Sequence, residues 1–235
     1  MISRGMGFSR TTSIREMRSS PMKWYGVIFT VLMLLFIVCC SSHCFEAMVY
    51  NITMESESRV SGLQVTQVIE TLRLKPGQFV ADIGAGTGLF SRPMAQKIAP
   101  GGMLYAVDIN PILLEEIDER NQEIGINNIK TVIASEHDPR IPETVDLIFM
   151  CATFHKIENK VGYLKTLRMY LKPEGRIAIV DLLESHPFPS SNKYSVGELK
   201  KWMKAAGYEL LEKHDFLEDD DYSFTVFALS VVATT

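Results

Sequence analysis

Three glycines at alternate positions, Gly84, Gly86 and Gly88, follow a short apolar stretch that contains Asp82. This pattern is typical of a buried strand that breaks into a glycine-rich turn. Because glycine has no Cβ, such a turn adopts positive φ and lets a ligand approach the main chain closely. Residues 89–99 are predicted to be helical, which points a helix N-terminus at the same place. The sequence therefore predicts a pocket for a nucleotide-like ligand.

Further polar residues follow the other predicted strands. Asp108 ends the second strand, twenty residues beyond the last glycine of the turn, where a carboxylate can accept hydrogen bonds from both hydroxyls of a ribose. Glu136, His137 and Asp138 follow the third strand, and His155 follows the fourth. Because open parallel sheets bind ligands at the carboxyl ends of their strands, we expect these side chains to lie near the pocket.

Strands and helices alternate with short turns through the rest of the chain, which is the signature of a parallel sheet covered on both faces. The last two strands are separated by a short acidic turn and are expected to pair antiparallel. We therefore predict an α/β fold with a Rossmann-like, doubly wound, seven-stranded mixed sheet. The predicted strands are 79–83, 103–108, 129–134, 145–150, 176–182, 208–216 and 224–232. The predicted helices are 57–74, 89–99, a helix between the Asn110 cap and Gly125, 160–170 and 196–206, with a turn at 172–175.

Charge is distributed unevenly along the chain. Residues 1–23 form a basic leader with a net charge of +4, so the remaining residues must carry −8 to give the overall −4. An acidic body argues against nucleic acid as a partner, since phosphate binding needs a basic face.

Residues 24–42 carry no charge, and the seventeen residues 24–40 are at the lower end of a membrane-spanning length. The basic leader on the N-terminal side favours either a single-pass anchor or a cleaved signal peptide, with a buried globular helix as the alternative. Residues 43–56 are predicted to be a linker, and 57–235 the functional domain. The side of the membrane that this domain faces stays open.

The four cysteines are Cys39, Cys40, Cys44 and Cys151. No two of them have the spacing of a zinc site or a redox pair, so the sequence predicts no metal site.

Four motifs in order resemble the class I S-adenosylmethionine-dependent methyltransferases. They are Val80–Gly88, the strand Tyr105–Asp108, the strand Val145–Ile148 and the turn Leu171–Arg176. The resemblance implies that S-adenosylmethionine is the cofactor, that Asp82 and the glycines surround its methionine part, that Asp108 holds the ribose, and that one of residues 136–138 lies near the adenine. The implied cofactor-binding set is Asp82, Gly84, Ala85, Gly86, Gly88, Asp108, Ile109, Glu136, His137 and Asp138.

The segment Asp138–Pro142 and His155 are also similar to a subgroup of small stand-alone methyltransferases, and the quinone-biosynthesis enzymes are a neighbouring group. A short connection after the fifth strand favours a small-molecule or lipid-like acceptor, such as a quinone. His155 is the candidate catalytic base, because its pKa range suits proton transfer near neutrality. The alternative interpretation is that His155 only shapes the pocket.

Two other functions are weighed for the glycine turn. A dinucleotide-binding oxidoreductase needs Gly-x-Gly-x-x-Gly, whereas this chain has Leu89 where the last glycine should stand. Asp82 would also repel a pyrophosphate, while it suits a ligand that carries an ammonium and a sulfonium. A non-catalytic module that binds S-adenosylmethionine as a sensor or assembly factor is the remaining alternative.

Overall fold

A mixed sheet forms the centre of the fold in the computed structural model, which describes residues 55–185 and 192–230. Within these ranges the strands are β1 Phe79–Ile83, β2 Met103–Asp108, β3 Ile129–Ile133, β4 Val145–Cys151, β5 Leu171–Leu182, β6 Tyr208–His214 and β7 Tyr222–Leu229. Their order in the seven-stranded sheet is β3-β2-β1-β4-β5-β7-β6. The first five strands are parallel, and β7 runs antiparallel to both β5 and β6. The predicted sheet and its antiparallel last pair are confirmed.

The helices of the described ranges are α1 Glu57–Gly62, α2 Val65–Thr71, α3 Ser91–Ile98, α4 Pro111–Ile124, α5 Lys160–Leu167 and α6 Val196–Ala205. Local sequence explains several of their ends. The side chain of Asn110 accepts a hydrogen bond from the N–H of Ile112, and Gly125 closes α4 with a φ of 73°. Ser195 begins α6 with a capping box that it shares with Glu198.

Apolar side chains of successive strand residues alternate between the two faces of the sheet. Val80 of β1 and Leu147 of β4 belong to a core beneath α2, α3 and α4. Ala81 and Ile148, one position later in each strand, belong to a second core beneath α5 and α6. Because both faces of the central strands are covered, those strands read as nearly continuous apolar runs.

The structure corrects the single helix predicted over 57–74. The chain forms α1 and α2 instead, and Gln64 between them adopts a left-handed conformation with a φ of 42°. The Nε2 of Gln64 donates to the carbonyl oxygen of Phe216 at 2.7 Å. This contact with a residue far along the chain holds Gln64 where the helix breaks.

The turn predicted at 172–175 is also different. β5 begins at Leu171, and its pairing with β4 shifts register between Leu171 and Arg176. Residues 172–175 are therefore an irregular excursion within the strand rather than a turn that precedes it.

The predicted apolar segment 24–42 lies outside the described residues. Within residues 55–185 and 192–230, no helix combines the length and the apolar composition needed to cross a bilayer.

Candidate functional site

A cavity of about 450 Å³ opens where the strand order reverses between β1 and β4. Residues that follow β1, β2, β3 and β4 all contribute to its wall. Its size is within the range of small-molecule sites, and its position at the carboxyl ends of the strands is where doubly wound sheets bind ligands.

Asp82 lies in the wall of this cavity and is 2% exposed. The Oγ of Ser91, the first residue of α3, donates to its Oδ2 at 2.5 Å. Burial raises the pKa of Asp82 to about 7; the hydrogen bond from Ser91 opposes this shift, and the charge of Asp108 adds to it. A buried carboxylate with a raised pKa is stabilised in its ionised form by a cation, so this part of the cavity suits a positively charged ligand group.

The turn after β1 requires glycine at two positions on the cavity side. Gly84 has a φ of 75°, and a Cβ there would lie 2.1 Å from the Oγ1 of Thr153. Gly86 has a φ of 56°, and its N–H donates to the Oδ2 of Asp108 at 3.0 Å. The turn is therefore tied both to the loop after β4 and to the end of β2.

Asp108 and Ile109 also line the cavity. The Oδ1 of Asp108 accepts the N–H of Asn110 at 3.0 Å, so each of its oxygens holds one backbone donor. Each carboxylate oxygen retains further acceptor capacity. Ile109 is 62% exposed, which leaves an apolar surface at the rim.

The structure brings eight of the ten proposed cofactor-binding residues to this cavity. They are Asp82, Gly84, Ala85, Gly86, Asp108, Ile109, Glu136 and His137. Gly88 does not line it; a Cβ there would lie 2.9 Å from the Nη1 of Arg92 and 3.1 Å from the Cγ1 of Ile117. Asp138 does not line it either; its Oδ1 accepts the hydroxyl of Tyr170 at 2.7 Å and the N–H of Arg140 at 2.8 Å.

His155 is 4% exposed and does not line the cavity. Its Nδ1 lies 2.6 Å from the Oδ1 of Asp181, and its backbone N–H donates to the Oδ2 of Asp181 at 2.8 Å. The hydroxyl of Tyr194 and the N–H of Leu182 also donate to Asp181. This geometry favours the interpretation in which His155 shapes the loop after β4. Its role as a base stays a prediction.

Several wall residues were not identified from the sequence. Ser135, Lys156 and Glu158 follow strand ends, so the rule about carboxyl ends could have found them, as it found Thr153 after the fourth strand. Tyr163 lies on α5, is 7% exposed and lines the cavity, and its hydroxyl makes no hydrogen bond to the described residues. No local pattern distinguishes Tyr163 from an ordinary core tyrosine.

These features fit S-adenosylmethionine. Asp82 provides a buried anion for the cationic methionine part, and the glycine turn lets it approach the main chain. Asp108 keeps acceptor capacity for ribose hydroxyls. Tyr163 adds a hydroxyl to the polar groups of the wall. Within the described residues, no group of His, Cys, Asp or Glu is arranged to hold a metal ion.

Known proteins share this arrangement. A family described as "Methyltransferase domain" matches residues 81–177. The crystal structure of an S-adenosylmethionine-dependent methyltransferase from Aquifex aeolicus superposes with a TM-score of 0.67 at 25% identity, covering 76% of this chain and 96% of that one.

Curated relatives include the arsenite methyltransferase of Halobacterium salinarum, 25% identical over 59% of this chain and 39% of its own length. The ubiquinone/menaquinone biosynthesis C-methyltransferase UbiE of Haemophilus ducreyi is 29% identical over 54% of this chain and 50% of its own length. The chain thus spans half or less of the length of these two relatives. Residues 81–177 thus match a methyltransferase domain, and together these comparisons support a class I S-adenosylmethionine-dependent methyltransferase with S-adenosylmethionine as its cofactor.

Proposed function

We propose that this protein transfers a methyl group from S-adenosylmethionine to a small-molecule or lipid-like acceptor, with quinones as the first class to test. The observation that carries the proposal is Asp82, a buried carboxylate in the cavity wall whose pKa is raised to about 7. Arsenite and quinone precursors, which the names of the two relatives indicate, are both small acceptors.

When bound, the cofactor supplies an activated methyl group on a sulfonium. The residues of this chain mainly bind and orient the reactants, because holding two reactants in the right geometry removes much of the entropic barrier to transfer. In this proposal Asp82 pairs with the ammonium of the methionine part and Asp108 accepts from the ribose hydroxyls. Glu136 and His137 lie at the rim, where the adenine is expected.

The acceptor end of the cavity is assigned to the loop after β4. Thr153, Lys156, Ile157 and Glu158 line that side. The buried pair of His155 and Asp181 holds the short 3₁₀ turn Phe154–Lys156, which connects Thr153 to the rest of the loop. His155 therefore contributes as a positioning residue, unless the base role predicted from the sequence is found by kinetics.

The test uses methyl-labelled S-adenosylmethionine, the full chain and a membrane extract, with mass identification of the labelled product. We expect a labelled small molecule or quinone that is absent when Asp82→Asn replaces the wild-type protein. Binding of S-adenosylhomocysteine without transfer to any extract component would favour the non-catalytic module. Absence of binding would contradict the proposal itself.

We also propose that residues 24–42 anchor the domain to a membrane as a single-pass segment. The support is the uncharged composition of residues 24–40 and the basic leader before them. Carbonate extraction of membranes from expressing cells should leave the intact chain in the pellet. Protease protection of a C-terminal tag then shows which side of the membrane the domain faces. Recovery of a shortened, freely soluble chain would indicate a cleaved signal peptide.

A further inference from the structure

A network of charged side chains lies behind the glycine turn. The Oε1 of Glu55 is 2.8 Å from the Nη2 of Arg92, and both carboxylate oxygens of Glu55 are 3.2 Å from the Nη1 of Arg120. The side chains of Arg92, Glu55 and Arg120 are 16%, 23% and 31% exposed. Ion pairs that are partly shielded from water are screened less by salt than exposed pairs.

Glu55 comes from the stretch predicted as a linker, whereas Arg92 and Arg120 lie on α3 and α4. Burial acts to raise the pKa of Glu55, but the neighbouring Thr87 hydroxyl, the hydrogen bond from Arg92 and the charges of Arg92 and Arg120 outweigh it and lower the pKa below its ordinary value. Glu55 is therefore ionised at neutral pH. The segment that leads into α1 is thus bound to the domain at one defined point.

The second terminal nitrogen of Arg92 contacts the glycine turn itself. This nitrogen, Nη1, donates to the carbonyl oxygen of Thr87 at 2.6 Å, and a Cβ on Gly88 would lie 2.9 Å from the same nitrogen. The guanidinium therefore packs against the turn at Thr87 and Gly88, while Gly84, Ala85, Gly86 and Thr87 line the cavity. Gly88 is needed because a side chain there would displace Arg92.

We propose that Glu55 is a positioning residue for cofactor binding. Glu55 holds the Nη2 of Arg92. The Nη1 of the same guanidinium therefore stays on the carbonyl oxygen of Thr87 and keeps the turn in the conformation that binds the cofactor. The proposal rests on the proposed function, because it concerns the same cavity. It makes the segment before α1 part of the cofactor site, although Glu55 does not itself line the cavity.

The principal test is Glu55→Gln in the full chain, with binding of S-adenosylhomocysteine measured by titration calorimetry. The substitution keeps the shape of the side chain and removes its charge. We expect affinity to fall about tenfold, since a charge-assisted contact that orders the turn is lost. The matched control is Glu212→Gln, which removes the carboxylate of the Arg73–Glu212 pair on the edge strand β6. The control should leave affinity unchanged.

A second variant, Arg92→Met, keeps an unbranched side chain but has no hydrogen-bond donor, so it contacts neither Glu55 nor the carbonyl oxygen of Thr87. We expect a loss of affinity similar to that of Glu55→Gln, and no further loss in the double variant. Losses that add in the double variant would overturn the proposal, because they would show that the two side chains act separately.

Thermal unfolding of the ligand-free variants separates positioning from simple stabilisation. A lower melting temperature for Glu55→Gln with unchanged affinity would overturn the proposal and leave the proposed function intact. Wild-type protein that fails to bind S-adenosylhomocysteine would instead remove the proposed function, and this inference with it.

Discussion

Two buried aspartates are each the penultimate residue of a parallel strand, β1 or β5, and have different surroundings. Asp82, near the end of β1, is 2% exposed, and Asp181, near the end of β5, is 0% exposed. Asp82 receives one hydrogen bond, from Ser91, and lines the cavity. Asp181 receives four, from two groups of His155, from Leu182 and from Tyr194, and does not line it. The number of protein donors therefore distinguishes a carboxylate that serves the fold from one that is available to a ligand.

The largest expected effect comes from Asp181→Ala. The substitution leaves the donors of His155 and Tyr194 buried without an acceptor, so we expect the free energy of unfolding to fall by about 3–4 kcal/mol. Urea denaturation measures the loss. Affinity for S-adenosylhomocysteine should change little in the folded fraction. A variant with wild-type stability and much weaker binding would show that Asp181 belongs to the ligand site and would contradict its structural role.

Asp82→Asn should have the opposite pattern. The pKa of Asp82 is raised in the folded state, so the folded protein keeps this proton where the unfolded chain has lost it. Stability therefore falls as pH rises from the ordinary value of 3.8 to about 7, and it stays at the lower level above pH 7. Asparagine does not ionise, so the variant avoids this loss of stability, and its side-chain oxygen still accepts the hydrogen bond from Ser91. At pH 8 we expect the ligand-free variant to gain about 1–3 kcal/mol in the free energy of unfolding. Its affinity for S-adenosylmethionine should fall by about 2 kcal/mol, because the partner of the ligand cation is lost.

Calorimetric titration and urea denaturation of the same Asp82→Asn preparation check both parts. The comparison predicts that stability and affinity move in opposite directions. If both fell together, Asp82 would be a second structural aspartate like Asp181.

The pH dependence of binding is a further test of whether Asp82 contacts the ligand. A cationic ligand prefers the ionised form of Asp82, whose pKa is about 7 in the free protein. Affinity for S-adenosylmethionine should therefore rise up to about tenfold per pH unit as pH increases from 5.5 towards 7, and level off above 7. Titrations at several pH values measure the slope. In Asp82→Asn the slope should disappear; a slope that persists in this variant would show that Asp82 is not the group responsible.

The smallest expected effect is that of Tyr163→Phe. If its unpartnered hydroxyl contacts the cofactor, its removal should weaken binding of S-adenosylhomocysteine by about 1 kcal/mol, or roughly fivefold. Tyr170→Phe is the matched control, because the hydroxyl of Tyr170 bonds Asp138 outside the cavity. Equal effects of the two variants on affinity would show that Tyr163 acts only through packing.

Local sequence patterns predicted the bounds of strands and helices correctly where those bounds depend on neighbouring residues. The bounds of β1 and β2 agree with the prediction, because apolar runs with both faces buried are bounded by glycine, proline and aspartate. The Asn110 cap and the closure at Gly125 likewise depend on neighbouring residues.

The sequence did not predict helix breaks or side-chain directions that depend on a residue far along the chain. Gln64 breaks the predicted helix through a bond to Phe216. Asp138 follows β3 as expected, but Tyr170 and the N–H of Arg140 take up its carboxylate. His155 is likewise turned to Asp181 rather than to the cavity. A strand end gives the position of a residue, and only the tertiary partners give the direction of its side chain.

The position of β7 between β5 and β6 has a consequence for the order of folding. β1, β2 and β3 pair in sequence order, so the cofactor half of the sheet assembles from neighbouring segments. β6 finds its sheet partner only when β7 arrives, because Ile177 of β5 and Leu210 of β6 both pair with Phe227. Contacts between distant segments form slowly, since loop closure costs entropy before pairing compensates for it. We therefore expect refolding to pair β1, β2 and β3 early, and to join β4 to β1 and β7 to β5 late.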